Sequence, residues 1–127
     1  MSTHDVLLFY MACNKGNLAS AKKLVEEKKV DPTTDDYYPA LQLACLGGYV
    51  ELVKWLVTEC KIDPDTPDED GLTSLHWACL GEHLEVVKWL GTEAKSDLYS
   101  QDNDGKTPVE TAWKTDVVEW LQSRMTK

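Results

Sequence analysis

The stretch LQLACLGGYVELVKWLVTECKID, residues 41–63, returns 34 residues later as LHWACLGEHLEVVKWLGTEAKSD, residues 75–97, with 14 of 23 positions identical. The shared positions include Ala44/Ala78, Cys45/Cys79, Leu46/Leu80, Gly47/Gly81 and the strings Val53-Lys54-Trp55-Leu56 and Val87-Lys88-Trp89-Leu90. A period of this length marks an array of helical repeats, each unit burying its apolar side only against its neighbours. It leaves no room for a strand–helix–strand crossover, so the expected fold is all-α.

The register runs on in both directions. Gly71, Thr73 and Ala78 recur as Gly105, Thr107 and Ala112, while Ala44-Cys45, Leu56 and Asp63 have counterparts 32 residues earlier at Ala12-Cys13, Leu24 and Asp31. Trp89-Leu90 recurs only 31 residues later, as Trp120-Leu121, so the last unit is clipped. The chain reads as one domain, 1–127, of about four helix–turn–helix units at 4–35, 36–69, 70–103 and 104–124. Two are full and two are capping, since terminal repeats must close the core with a polar outer face. In the third unit, Gly71-Leu72-Thr73-Ser74 is a turn with a hydroxyl placed to cap a helix from Leu75 to about Leu80. Gly81-Glu82-His83 turns the chain, and a second helix runs from Leu84 to about Thr92 with Val87 and Leu90 inward. The Pro- and Asp-rich tract Asp63–Asp70 then links units as a turn or hairpin-like finger.

Gly71-Leu72-Thr73-Ser74-Leu75-His76-Trp77-Ala78-Cys79 resembles the turn-and-helix signature of the ankyrin-repeat family, with Ser74 for the usual proline and Cys79 for the second alanine. Gly105-Lys106-Thr107-Pro108-Val109-Glu110-Thr111-Ala112 keeps Thr-Pro but has Glu110 for the histidine, and Tyr37-Tyr38-Pro39-Ala40-Leu41-Gln42-Leu43-Ala44-Cys45 has lost the Gly and the Thr. The resemblance spans roughly Leu8 to Gln122. It implies a solenoid whose fingers and concave groove recognise other proteins.

With 22 acidic against 13 basic residues, the net charge is −9. That balance disfavours nucleic acid and anionic lipid, whose binding needs a basic face, and favours a basic protein partner through electrostatic steering. No run of eighteen apolar residues appears, so no membrane span is expected. The opening Met1-Ser2-Thr3-His4-Asp5 is unlike a signal peptide, which makes the cytoplasm, with the nucleus as second choice, the expected location.

Cysteines 13, 45 and 79 hold one position in three successive units and Cys60 corresponds to Ala94, so cysteine here reads as a small buried near-alanine. His76, Cys79 and His83 fall at i, i+3 and i+7, the spacing of three zinc ligands on one continuous helix, but the turn at Gly81 breaks that helix. The resemblance instead makes His76 the turn histidine that bonds backbone and the neighbouring threonine. No phosphate loop, nucleophile elbow or H-E-x-x-H motif is present, and neither catalysis, metal nor cofactor is expected. Trp55, Trp89 and Trp120 share one position on the second helices and are expected to stack as a partly buried ladder.

Acidic residues crowd the fingers: Asp35 and Asp36, then Asp63, Asp65, Asp68, Glu69 and Asp70, then Asp102 and Asp104. In an array equivalent positions line up, so these charges form a stripe along one edge. By register the resemblance places Tyr38, Leu46, Gly47, Leu72, Leu80, Gly81 and Lys106 in the concave groove, where Leu46 and Leu80 become neighbouring exposed leucines; Trp77 is a further aromatic anchor. An apolar strip rimmed by carboxylates fits a basic amphipathic segment. The expected site is therefore Asp35, Asp36, Tyr38, Leu46, Glu69, Asp70, Leu72, Trp77, Leu80, Asp104 and Lys106. The expected function is a monomeric protein-interaction module acting as adaptor, masking inhibitor or assembly chaperone. The rival is a structural or self-associating repeat protein.

Overall fold

The computed structural model describes residues 2–33 and 40–125. Among these residues there are eight helices and no strand: α1 (Thr3–Asn14), α2 (Leu18–Glu27), α3 (Ala40–Gly47), α4 (Val50–Thr58), α5 (Ser74–Leu80), α6 (Leu84–Thr92), α7 (Pro108–Thr111) and α8 (Thr115–Met125). α1, α2 and α5 start where a polar side chain meets the orphaned N–H donors of the first turn. Ser2 accepts from the Asp5 N–H, Asn17 from the Ser20 N–H, and Thr73 sits at the N-cap of α5.

Helices this short are marginal alone, so packing holds them. The first helices form one row, with α3 between α1 and α5 and α5 against α7, and α4, α6 and α8 form a second row. Ala44, Cys45, Ala78 and Cys79 are fully buried and small enough to let the first helices close on one another. Leu52, Val53 and Leu56 on α4, Val86, Val87 and Leu90 on α6, and Val117 and Leu121 on α8 fill the space between the rows. Burying each such side chain stabilises the fold by about 1.5–3 kcal/mol. Trp55, Trp89 and Trp120 are partly buried against this core, as their shared register predicts. They do not stack ring on ring. The edge of the Trp120 ring lies where a Cβ on Gly91 would come within 2.8 Å, and Arg124 covers the ring at 5.4 Å.

The clipped unit has a definite location. Ser74 to Leu84, the starts of α5 and α6, are ten positions apart (84 − 74), whereas Pro108 and Thr115, the starts of α7 and α8, are seven apart (115 − 108). The three missing residues come out of α7 and its turn. Glu82 spans the junction: Oε1 accepts from the Trp113 N–H and Oε2 from the Lys114 N–H, both at 2.8 Å, just ahead of α8. It does so from a left-handed backbone, φ 60°, at the place occupied by Gly48 with φ 77° one unit earlier.

The two ends of the array are covered unequally. The exposed residues of α8 are polar, namely Thr115, Asp116, Glu119, Gln122, Ser123 and Arg124, whereas α1 exposes Leu7, Leu8 and Met11.

Candidate functional site

Each finger is built by an aspartate. The Asp68 N–H donates to the Leu72 carbonyl at 2.9 Å, and Asp68 Oδ1 accepts from the N–H groups of Asp70 and Leu72, both at 2.9 Å. The same three bonds recur 34 residues on, from the Asp102 N–H to the Lys106 carbonyl and from the Asp104 and Lys106 N–H groups to Asp102 Oδ1. The two fingers lie side by side, because the Asn103 N–H donates to the Asp70 carbonyl and Asn103 Nδ2 to the Glu69 carbonyl, both at 2.9 Å. Gly71 has φ +82°, and a Cβ there would come within 2.6 Å of Asn103 Oδ1, so the approach needs glycine.

Struts tie these fingers to the helices behind them. The Thr73 N–H donates to His76 Nδ1 at 3.1 Å, which leaves the proton on Nε2 to be donated to the Lys106 carbonyl at 2.8 Å. Gln42, at the His76 position one unit earlier, donates from Nε2 to the Leu72 carbonyl at 3.4 Å. In the last unit Glu110 turns back on its own cap instead, accepting at Oε1 from the Thr107 N–H at 2.9 Å. His83 Nε2 donates to the Leu46 carbonyl at 2.9 Å, over the spot where a Cβ on Gly81 would meet that same oxygen at 2.4 Å.

The apolar strip lies on the packed first helices. Leu43 and Leu46 on α3 hold the same register as Trp77 and Leu80 on α5. Leu46 is 39% exposed and Leu80 41%, while Leu43 and Trp77 are half-buried. The Trp77 indole N–H donates to Asp68 Oδ2 at 3.1 Å, so the ring is pinned to the finger above it. Glu69, Asp70, Asp104 and Lys106 are exposed, Leu72 is half-buried, and no bond within the described residues occupies the carboxylates of Glu69, Asp70 and Asp104. Asp35, Asp36 and Tyr38 lie outside the described residues. The structure thus brings together Leu46, Glu69, Asp70, Leu72, Trp77, Leu80, Asp104 and Lys106 along two fingers and two helices.

Charge in the fingers is of two kinds. Asp68 and Asp102 spend their oxygens on backbone, and donation from the Lys106 N–H holds the Asp102 carboxyl below its usual value. Glu69, Asp70 and Asp104 do not. The expected site already held Glu69, Asp70 and Asp104 without Asp68 and Asp102, although the acidic stripe grouped all five; the signal that separates them is the D-x-D-G string at 68–71 and 102–105, whose first aspartate can cap the turn its glycine makes. Leu43 was also missed, although its 34-residue alignment with Trp77 was available.

The cysteines are free thiols. Burial pushes Cys13 and Cys79 up to about 12 and Cys60 to about 11, and raises Cys45 as well. Thiols so raised are poor nucleophiles and poor metal ligands. His76 has both ring nitrogens committed, to Thr73 and Lys106, and His83 has Nε2 committed to Leu46; among the described residues no three His, Cys, Asp or Glu side chains converge as a metal site.

Stacked helix pairs joined by aspartate-capped fingers define a helical repeat protein. The profile for ankyrin repeats in three copies matches residues 8–102 and 63–126, and the chain belongs to the ankyrin-repeat family. No curated protein matches it. Ankyrin repeats are in general protein–protein interaction modules, and the family is typically non-enzymatic. No described helix is long and apolar enough to cross a membrane.

Proposed function

We propose that this chain binds a basic, partly apolar segment of another protein, acting as a monomeric adaptor, masking inhibitor or assembly chaperone in the cytoplasm or nucleus. The observation that carries this reading is the exposed pair Leu46 and Leu80, aligned on adjacent helices beside the pinned Trp77 and below the unoccupied carboxylates of Glu69, Asp70 and Asp104. Charge on the fingers steers the encounter, and desolvation of the leucines and the indole holds the complex. Because Asp68 and Asp102 already fix the finger backbones, the site is preformed, and binding orders few side chains.

The test is affinity capture from lysate followed by mass spectrometry, with the wild type beside two folded variants. One carries Glu69→Lys, Asp70→Lys and Asp104→Lys; the other carries Leu46→Glu and Leu80→Glu. A basic protein retained by the wild type and lost by both variants supports the proposal. Retention of the same protein by both variants would place binding elsewhere on the molecule.

A further inference from the structure

The end of the array at α1 and α2 carries chemistry opposite to that of the fingers. A groove of about 360 Å³ runs between these helices, floored by Leu8, Met11 and Leu24 and edged by Lys15, Lys23 and Lys28. Register shows why it is open. Leu8 corresponds to Ala40 and Ser74, which are buried, yet Leu8 is 37% exposed; Met11 is 52% exposed; and Leu24 is only partly buried where Leu56 and Leu90 are fully so. Within the array the Leu8 and Leu24 positions are buried, and the Met11 position, held by Leu43 and Trp77, is half-buried. At this end they face outward, and helical side chains are the shape that fits them.

The rim selects the charge of what docks there. Residues 15–29 carry five lysines (15, 22, 23, 28 and 29) against two glutamates (26 and 27) in a chain whose net charge is −9. Of the two glutamates only Glu27 lines the groove, against three of the lysines. Ser20 occupies the place of the buried Leu52 and Val86, so the floor is less apolar than an interior layer and suits a reversible contact.

We infer that this groove is a second docking surface, which takes an amphipathic helix with an acidic flank from a partner protein. Aliphatic side chains of that helix seat on Leu8, Met11 and Leu24, and its carboxylates meet Lys15, Lys23 and Lys28. A basic segment on the fingers and an acidic helix on this end would let one chain bridge two partners. This surface shares none of the finger residues, so either proposal stands if the other falls.

Two synthetic 18-residue helical peptides test it, both with leucine along one face, one flanked by glutamate and the other by lysine. Binding is read by fluorescence anisotropy at low and high salt on the wild type, Leu8→Glu, Lys23→Glu, and the triple variant Glu69→Lys, Asp70→Lys, Asp104→Lys. Circular dichroism verifies folding, and Lys23→Glu, on the exposed rim, stands in if Leu8→Glu unfolds. The expected result is that the glutamate peptide binds in a salt-sensitive way, is weakened tenfold or more by Leu8→Glu and Lys23→Glu, and is not weakened by the finger variant. No binding of that peptide, or binding indifferent to both end variants, overturns the inference. So does sedimentation showing that the protein self-associates and that Leu8→Glu abolishes it, because the occupant is then a second copy.

Discussion

The indole N–H of Trp77 donates to Asp68 Oδ2 at 3.1 Å, while the other oxygen of the same carboxylate accepts from the N–H groups of Asp70 and Leu72. One aspartate therefore builds the finger and fixes the aromatic beneath it. Asp68→Ala should cost about 1–3 kcal/mol of stability, the usual loss for bonds to a charged group. Glu69→Ala and Asp70→Ala should each stay within about 0.5 kcal/mol. Denaturant titration of the three variants separates the structural carboxylate from the unoccupied ones.

His76 makes the corresponding link to the next unit. It is fully buried with bonds at both ring nitrogens. His76→Ala should destabilise by about 2–4 kcal/mol, since it leaves a cavity and strands the Thr73 N–H and the Lys106 carbonyl. His76→Gln should cost less, because Gln42 spans the equivalent gap to Leu72. Thermal melts of the two variants test that order.

Lys61 and Lys95 follow α4 and α6 with φ of 61° and 54°, left-handed conformations that glycine adopts without penalty. Lys61→Gly or Lys95→Gly should raise stability by about 0.5–1 kcal/mol. An unchanged or lowered melting temperature would mean that these lysines contribute through their side chains.

Stability should fall in acid. Hydrogen bonds hold Asp31, Asp102 and Glu110 below their usual values, from Thr33, from Lys106 and from Thr107 respectively. A carboxyl depressed in the folded state contributes stability above its unfolded value, near pH 4, and loses it as pH falls through the folded value. Burial raises Asp65, whose contribution has the opposite sign. With three depressed groups against one raised, the melting temperature should be flat from about pH 6 to 8 and drop below about pH 4. Asp102→Ala should make that drop shallower.

Much of this was legible in the sequence, for physical reasons. Identity at a spacing of 34 could arise only from a repeat, and repeat register placed Leu46 and Leu80 together and buried Cys13, Cys45 and Cys79. The partnership of Thr73 and His76 was implied by the resemblance to the ankyrin turn, and the bonds between them bear it out. What stayed hidden depends on neighbours that register alone does not supply. Glu82 reads as a glycine lost from a turn, and its role emerges only when clipping of the last unit leaves the Trp113 and Lys114 N–H groups in need of an acceptor. By the 34-residue offset Trp113 falls at the position of the buried Cys79, and its 83% exposure follows from the same clipping, because α7 ends at Thr111. The tryptophan ladder failed because Gly91 stands where the earlier unit has Val57, which lets Trp120 settle against backbone.

The most direct test of the groove is the indole resonance of Trp77, followed by heteronuclear NMR on ¹⁵N-labelled protein as the lysine-flanked peptide is added. Binding between the fingers and the first helices predicts a saturable shift of that N–H and of the Leu46 and Leu80 amides, with Trp113 unmoved. Shifts confined to α2 or to the outer sides of α4 and α6, with Trp77 still, would contradict it.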